Sequence, residues 1–170
     1  YNKSEIETWI RGLLEQDIAV LTVHLRTRKE MSDVPAHWEV MKDILKIRDD
    51  MGVNTLIFGN GDVVDIDDAR RKCKETGCDG VMLGRAIFGN PFLFSKQKRP
   101  EQSEGLRVML EHTKLFEEML GKHKNFAIMK KHYKAYVNGF NGAKELRVKL
   151  MEAENATQVE NITNDFLNKI

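Results

Sequence analysis

The 170-residue chain contains only two cysteines and carries almost no net charge, +1 at neutral pH. Cys73 and Cys78 stand five positions apart, without a CxxC spacing. This pattern does not support a zinc site, and two cysteines are too few for a disulfide framework. We therefore read both as small buried residues and expect no metal site.

Long hydrophobic runs are also missing. No stretch approaches the roughly 18 apolar residues that a membrane-spanning helix needs, and the opening residues YNKSEIETWI are polar and acidic rather than basic and then apolar. We expect no membrane association and a cytoplasmic location. The length also falls short of a complete barrel of eight βα units, which takes roughly 200 to 250 residues.

Charge is divided unevenly along the chain. Residues 1–94 contain 13 Lys and Arg against 16 Asp and Glu, whereas residues 95–170 contain 14 against 10. The two parts are therefore expected to face different partners.

The first part alternates helical and extended patterns. Helices are predicted over 4–15, from Pro35 at the first helical position to Asp50, and from the cap Asp65 to the terminating Gly77. Strands are predicted at IAVLTVHLRT (18–27), VNTLIFGNGD (53–62) and DGVMLGRA (79–86). The first of these is a continuous apolar run, typical of a strand buried on both faces. Consecutive βαβ units of this kind predict three parallel strands with right-handed crossovers, and thus an α/β fold.

From Ser95 onward the pattern is helical only. A polar, turn-rich segment precedes four amphipathic helices, the last of which begins with a capping box formed by Thr157 and Glu160. We therefore divide the chain into an α/β domain over 1–94 and a small all-helical domain over 95–170.

Two predicted strands end in glycine-containing turns, GNGD (59–62) and GRA (84–86). Ligands of parallel α/β folds bind at the carboxyl ends of the strands, where backbone N–H groups and helix dipoles favour anions. Asn60, Gly61 and Asp62 in the first turn, with Gly84 and Arg85 in the second, predict a shared phosphate site. The alternative is that each glycine serves only its own turn.

The end of the first strand adds two polar side chains. His24 and Arg26 have the same side-chain parity, so both can point toward one mouth of the sheet. We predict a ligand-contacting role for His24, although a histidine in such a position is often purely structural.

Residues 121–150 form a strongly basic segment, with eight Lys and Arg against the single acid Glu145. Lys124, Lys131 and Lys134 are predicted to share one helical stripe. A solvated helix face usually mixes charge signs, so this density favours contact with a polyanion such as a nucleic-acid backbone.

With these motifs in view, the chain resembles the tRNA-dihydrouridine synthases, which are flavin-dependent enzymes. The matching strings are LTVHLRT, PAHW, GNGD, TGCDGVMLGRAIFGNPFLF, KKHYKAY and ELR. The resemblance implies that the α/β part is the last three βα units of a (βα)8 TIM barrel and that the bound anion is the phosphate of FMN. The implied cofactor-binding residues are His24, Arg26, Asn60, Gly61, Asp62, Gly84 and Arg85; the implied tRNA contacts are Lys130, Lys131, Lys134 and Arg147. One departure is Leu25, where the family usually has glycine.

The resemblance also implies a reaction. NADPH reduces FMN, and the flavin passes a hydride to a uracil that a cysteine protonates. In the family that cysteine, a lysine and an arginine lie upstream of the matched region, so we expect no catalytic residue in this chain and no activity from it alone. Open strand edges further predict self-association, or pairing with a missing N-terminal half.

Two other functions are compatible with the same residues. Another FMN-binding barrel, such as a dihydroorotate dehydrogenase, shares the paired glycine turns but gives no reason for a basic helical domain. A non-catalytic RNA-binding fragment would use only the helical domain. Flavin retention and tRNA affinity distinguish these possibilities.

Overall fold

The computed structural model describes residues 3–95 and 100–169. The chain forms two compact units, Tyr1–Ala86 and Ile87–Ile170. The sequence pattern predicted the boundary between the two parts of the chain at residues 94 and 95. The unit boundary lies earlier because residues just after Ala86 pack on the helices that follow: Gly89 lies against the Ala135 backbone, and the Phe88 ring contacts His132.

The first unit is an α/β structure. Its helices are α1 (Lys3–Leu14), α2 (Met41–Met51) and α3 (Ile66–Thr76); its strands are β1 (Val20–His24), β2 (Leu56–Asn60) and β3 (Gly80–Met82); short 3₁₀ turns span Trp38–Val40 and Arg85–Ile87. The strands form a parallel sheet, as predicted, and their order is β1-β2-β3. Parallel pairing places the three carboxyl ends at one edge, which positions the candidate site.

The ends of α3 follow the sequence signals. Asp65 caps the helix by accepting a hydrogen bond from the Asp68 N–H at 2.7 Å, and Gly77 ends it in the left-handed conformation, with φ of 85°. Both predictions are confirmed. The start of α2 was predicted wrongly, because Pro35 lies outside it. The residues after Pro35 instead cross the strand ends: the Ala36 N–H donates to Asp62, and the His37 N–H donates to the Leu25 carbonyl.

The two faces of the sheet differ in burial. One face packs on α1 and α2, with a core that includes Ile10, Leu14, Met41, Ile44 and Ile57. On the other face Val20, Leu56 and Met82 are 44%, 45% and 52% exposed. The prediction that the first strand is buried on both faces is therefore wrong for this chain, since its outward side chains have little packed on them.

The second unit contains four helices in its described residues. These are α4 (Gln102–Leu120), α5 (Ala127–Tyr136), α6 (Ala143–Glu152) and α7 (Ala156–Leu167). Their core includes Leu106, Met109, Met129, Tyr133 and Leu150. The capping box at Thr157 was predicted wrongly, because Asn155 caps α7 by accepting from the Gln158 N–H at 2.9 Å.

No helix in the described ranges is long and apolar enough to cross a lipid bilayer. Cys78 is buried as expected, Cys73 is only half-buried, and both thiols are free. Within the same described residues no group of acidic, histidine or cysteine side chains is arranged to hold a metal ion.

Candidate anion site and basic groove

The two glycine-containing turns open into one cavity at the carboxyl ends of the strands. The open cavity has a volume of about 510 Å³. Its lining includes all seven residues predicted for the cofactor: His24, Arg26, Asn60, Gly61, Asp62, Gly84 and Arg85. The structure therefore brings together what the sequence placed in three separate segments.

Strand register explains this convergence. His24 is the pairing partner of Asn60, and Asn60 pairs in turn with Met82, so the three strands end in one row. The Asn60 side chain donates to the Met82 carbonyl at 2.8 Å, and the Leu25 N–H donates to the Asn60 carbonyl at 2.9 Å. Asn60 thus fastens both neighbouring strand ends to β2, in addition to lining the cavity.

Asp62 is the centre of a polar cluster in this cavity. One carboxylate oxygen accepts from the Arg26 guanidinium and from the Ala36 N–H, the latter at 2.9 Å. The other oxygen accepts from Arg85 Nη2 at 3.1 Å. The hydrogen bond from Arg26, reinforced by the Ala36 N–H and by the charge of Arg85, lowers the pKa of Asp62. The carboxylate is therefore ionised at neutral pH and joins the two arginines.

The two arginines differ in the exposure of their side chains and in the hydrogen bonds that their guanidinium groups already make. Arg26 has a side chain only 5% exposed, and its Nε donates to the Val34 carbonyl at 2.7 Å, so its guanidinium is already occupied within the protein. Arg85 has a side chain 65% exposed, and its second contact, to Ser32 Oγ, is long at 3.5 Å. With one carboxylate between two guanidinium groups, the cluster keeps one net positive charge, and Arg85 presents it to the cavity.

The glycines in and beside the two turns differ in why the structure has a glycine at each position. Gly61 has φ of 137°, and a Cβ there would lie 2.7 Å from the Ala36 Cβ. A Cβ built at Gly59 would lie 2.5 Å from the Trp38 ring. Gly59 therefore makes room for the packing of Trp38 rather than for a ligand. Gly84 has open space around it, with no atom within 4 Å of a built Cβ. That space leaves the cavity accessible beside Arg85.

The segment after β1 contributes residues that the sequence argument missed as parts of the site. Trp38 Nε1 donates to the Gly61 carbonyl at 2.9 Å, beside the Ala36 contact to Asp62. The only sequence signal was the string PAHW, which served to identify the family but suggested no role. His24, by contrast, lies where predicted and is exposed.

Neither cysteine lines this cavity. Cys73 lies on α3, where desolvation raises the pKa of its thiol to about 11. Cys78 donates to the Gly80 carbonyl at 3.2 Å in the crossover between α3 and β3. Neither thiol is therefore in a position to protonate a ligand in the cavity.

The second unit has its own basic groove, of about 400 Å³, between α5 and α6. It is lined by Lys134, Lys144, Arg147, Val148, Met151 and Glu152. Two of the four predicted tRNA contacts, Lys134 and Arg147, lie in it, whereas Lys130 and Lys131 do not line it. Arg147 also donates to the Val137 carbonyl at 2.6 Å, at the end of α5.

One detail of the basic segment was predicted wrongly. Lys124 precedes the first residue of α5, Ala127, and so cannot share a helical stripe with Lys131 and Lys134. Lys144, which the sequence argument did not single out, takes its place as a neighbour of Lys134. The lysines meet across two helices rather than along one.

Comparison with known proteins gives a consistent result. The family model described as dihydrouridine synthase matches residues 2–170. A probable tRNA-dihydrouridine synthase of Staphylococcus epidermidis (strain ATCC 35984) is 40% identical over 168 residues, covering 98% of this chain and 52% of the relative. Probable tRNA-dihydrouridine synthase 2 of Bacillus subtilis (strain 168) is 38% identical over 167 residues, covering 97% of this chain and 51% of the relative. The chain thus spans about half the length of the curated relatives it matches.

Proposed function

Because the chain belongs to the dihydrouridine synthase family, we propose that it forms part of an FMN-dependent enzyme that reduces uridine to dihydrouridine in tRNA. The observation that carries this proposal is the convergence of the GNGD and GRA turns on one cavity with an exposed arginine. Family membership sets aside the dihydroorotate dehydrogenase alternative.

The cavity residues fit the phosphate end of FMN. In the proposal Arg85 binds the phosphate oxygens through its exposed guanidinium, and the backbone at Gly61 and Gly84 permits close approach. Arg26 holds Asp62 in place rather than binding the ligand itself, because its donors are engaged. His24 lies at the end of β1, toward the flavin or the uracil. FMN, once reduced by NADPH, supplies the hydride.

The three parallel strands correspond, in this proposal, to the last three βα units of a (βα)8 barrel. The exposed sheet face at Val20, Leu56 and Met82 is the side that the remaining strands would cover. The outer strands of the described sheet, β1 and β3, would pair with them, whether those strands come from the same protein or from another chain. We propose that the proton donor also comes from outside these 170 residues, and that the chain alone does not form dihydrouridine.

The helical unit is the proposed tRNA-binding part, with Lys130, Lys131, Lys134 and Arg147 as contacts. Lysine and arginine side chains bind nucleic-acid phosphates through charge, which releases counterions and makes the affinity salt-dependent. The groove between α5 and α6 adds Lys144 to this set. A tRNA substrate would place the activity in the cytoplasm.

A second candidate function is a non-catalytic RNA-binding fragment. It is favoured by the cavity lining, which contains no cysteine among the described residues. Titration of the purified chain with FMN, followed by quenching of flavin fluorescence, separates the two. Saturable binding at micromolar FMN together with tRNA binding supports the flavoenzyme, whereas tRNA binding without FMN binding supports the fragment.

A further inference from the structure

The segment Ala36–Trp38, which we call the strap, crosses the ends of β1 and β2. Each of its three residues donates a hydrogen bond to the residues that follow these strands: the Ala36 N–H to Asp62, the His37 N–H to the Leu25 carbonyl at 2.8 Å, and Trp38 Nε1 to the Gly61 carbonyl. The strap therefore sets where Gly61 and Asp62 lie, and through Asp62 it sets where Arg85 lies.

The imidazole of His37 lies between two carboxylates. Its Nε2 is 2.9 Å from Glu30 Oε1, and its Nδ1 is 3.2 Å from Glu39 Oε1. Carboxylates only accept hydrogen bonds, so both contacts are satisfied together only when both ring nitrogens carry protons. The geometry thus favours the imidazolium form.

Glu30 is itself fixed to the loop after β1. It accepts from the Thr27 N–H at 2.7 Å and from the Thr27 hydroxyl at 2.9 Å. These hydrogen bonds, with that of His37, lower the pKa of Glu30 to about 2. The Glu30 carboxylate is therefore ionised at any working pH, and the ion pair depends only on the protonation of His37.

We propose that His37 is a positioning residue for the anion site: its imidazolium, held between Glu30 and Glu39, fixes the strap to the loop after β1, and the strap in turn holds the turn that carries Gly61 and Asp62. The identification of the ligand as FMN rests on the proposed function, whereas the positioning of the strap by His37 does not. The strap contacts the site through Asp62 and Gly61, so its effect on ligand binding is indirect.

This positioning by His37 has a defined pH dependence. The hydrogen bond to Glu30 raises the pKa of His37. When folding raises the pKa of a histidine, the stabilisation from its charge is fully present at pH values below the ordinary pKa of 6.5. This stabilisation disappears as the pH rises through the raised pKa. His37 lines a second cavity of the first unit, which shares His24 and Arg26 with the anion site and whose other ionisable group is Glu5 of α1. Of these, Arg26 is engaged with Asp62.

The test uses the whole 170-residue chain and two readouts. The first, measured without flavin, is hydrogen exchange of the Trp38 indole N–H by NMR between pH 6 and 9, with the indole of Trp9, 71% exposed, as the internal reference. The second is the FMN dissociation constant over the same pH range. In the unmodified chain we expect Trp38 protection relative to Trp9, and FMN affinity, to fall together as His37 loses its proton.

Three variants sharpen the test. His37→Gln keeps a hydrogen-bond donor but not the charge, and Glu30→Gln removes the fixed carboxylate; each is expected to expose the Trp38 indole at all pH values and to weaken FMN binding roughly tenfold, the order expected for one charge-assisted hydrogen bond. Asp33→Asn is the control, because Asp33 is an exposed acid of the same segment and is not one of the two carboxylates that contact His37. It should change either readout less than twofold.

The outcomes are separable. Wild-type protection and affinity in His37→Gln would overturn the positioning role. Loss of Trp38 protection in His37→Gln, in a chain that binds no FMN even unmodified, would support the positioning role and count against the proposed flavin function. Circular dichroism at each pH confirms that the variants remain folded.

Discussion

Asp62 Oδ1 and Arg85 Nη2 are 3.1 Å apart, although the two residues follow different strands and are 23 positions apart in sequence. This contact joins the GNGD turn to the GRA turn. It shows that the two loops open on the same side of the sheet, as an anion site between them requires. Removal of either partner is therefore expected to affect both turns.

Asp62→Asn is the most direct disturbance of this contact. It keeps the size of the side chain but leaves Arg26, which is 5% exposed, without a charged partner. We expect a loss of about 1–3 kcal/mol in the free energy of unfolding at pH 7, the cost of leaving a buried charged donor poorly paired. Urea denaturation measures it. Because Asp62 has a lowered pKa, the difference between wild type and variant should persist at neutral pH and shrink as the pH falls below the usual range of aspartate. A difference that grew in acid would contradict this account.

Gly61→Ala and Gly84→Ala form a matched pair within the cavity. Gly61 has φ of 137° and the Ala36 side chain at 2.7 Å from a built Cβ, whereas Gly84 has nothing within 4 Å. We expect Gly61→Ala to cost about 1–3 kcal/mol of stability through backbone strain and contact, and Gly84→Ala to change it by less than about 0.5 kcal/mol. Thermal unfolding of both variants checks this. Equal losses would mean that the Gly61 conformation is not strained for alanine.

The sequence was most informative where a local rule decides the structure. Asp65 and Gly77 delimit α3 as predicted, because a cap and a left-handed terminus depend on a few adjacent residues. The alternation of βα units likewise predicted the three parallel strands, and the two glycine-containing turns predicted the shared cavity at the strand ends.

Tertiary contacts decided the features that the sequence did not reveal. Pro35 is a good first helical residue, but the Ala36 and His37 N–H groups after it are used by Asp62 and Leu25, so α2 starts later. The role of Arg26 changed for a similar reason: parity placed it at the cavity, but only the fold shows that Val34 and Asp62 occupy its guanidinium.

The helical unit contains two partly buried histidines that face each other. The His112 and His132 ring centroids are 5.2 Å apart, and His112 Nδ1 is 3.2 Å from the Tyr136 hydroxyl. Desolvation lowers the pKa of both histidines. The unfolded chain therefore takes up protons near pH 6.5 before the folded unit does, and stability falls as the pH drops below that value.

We expect the helical unit to unfold at a lower temperature at pH 5.5 than at pH 7.5, as followed by circular dichroism. The double variant His112→Asn, His132→Asn should lose part of this acid sensitivity. The variant His123→Asn is the control, since His123 is exposed. Equal acid sensitivity in all three proteins would contradict the assignment.

If the basic groove binds tRNA phosphates, the affinity for tRNA should depend on the salt concentration. Each phosphate contact by lysine or arginine contributes about 0.7–0.9 to the slope of log affinity against log salt. The double variant Lys134→Ala, Lys144→Ala should therefore weaken tRNA binding and reduce that slope by about 1.5. Lys149→Ala is the control, because Lys149 is exposed on the same helix as Lys144 but does not line the groove. A slope unchanged in the double variant would exclude the groove as a phosphate-binding surface.

The central claim, that the two turns hold a phosphate, is tested most directly by comparing FMN with riboflavin, which lacks the phosphate. For the unmodified chain we expect FMN to bind more tightly than riboflavin, and for Arg85→Ala we expect this preference to fall by about 10- to 100-fold, the range for a lost charge-assisted hydrogen bond. Riboflavin affinity should stay the same in both proteins. Equal affinity for FMN and riboflavin in the unmodified chain, or a preference that Arg85→Ala leaves intact, would contradict the account.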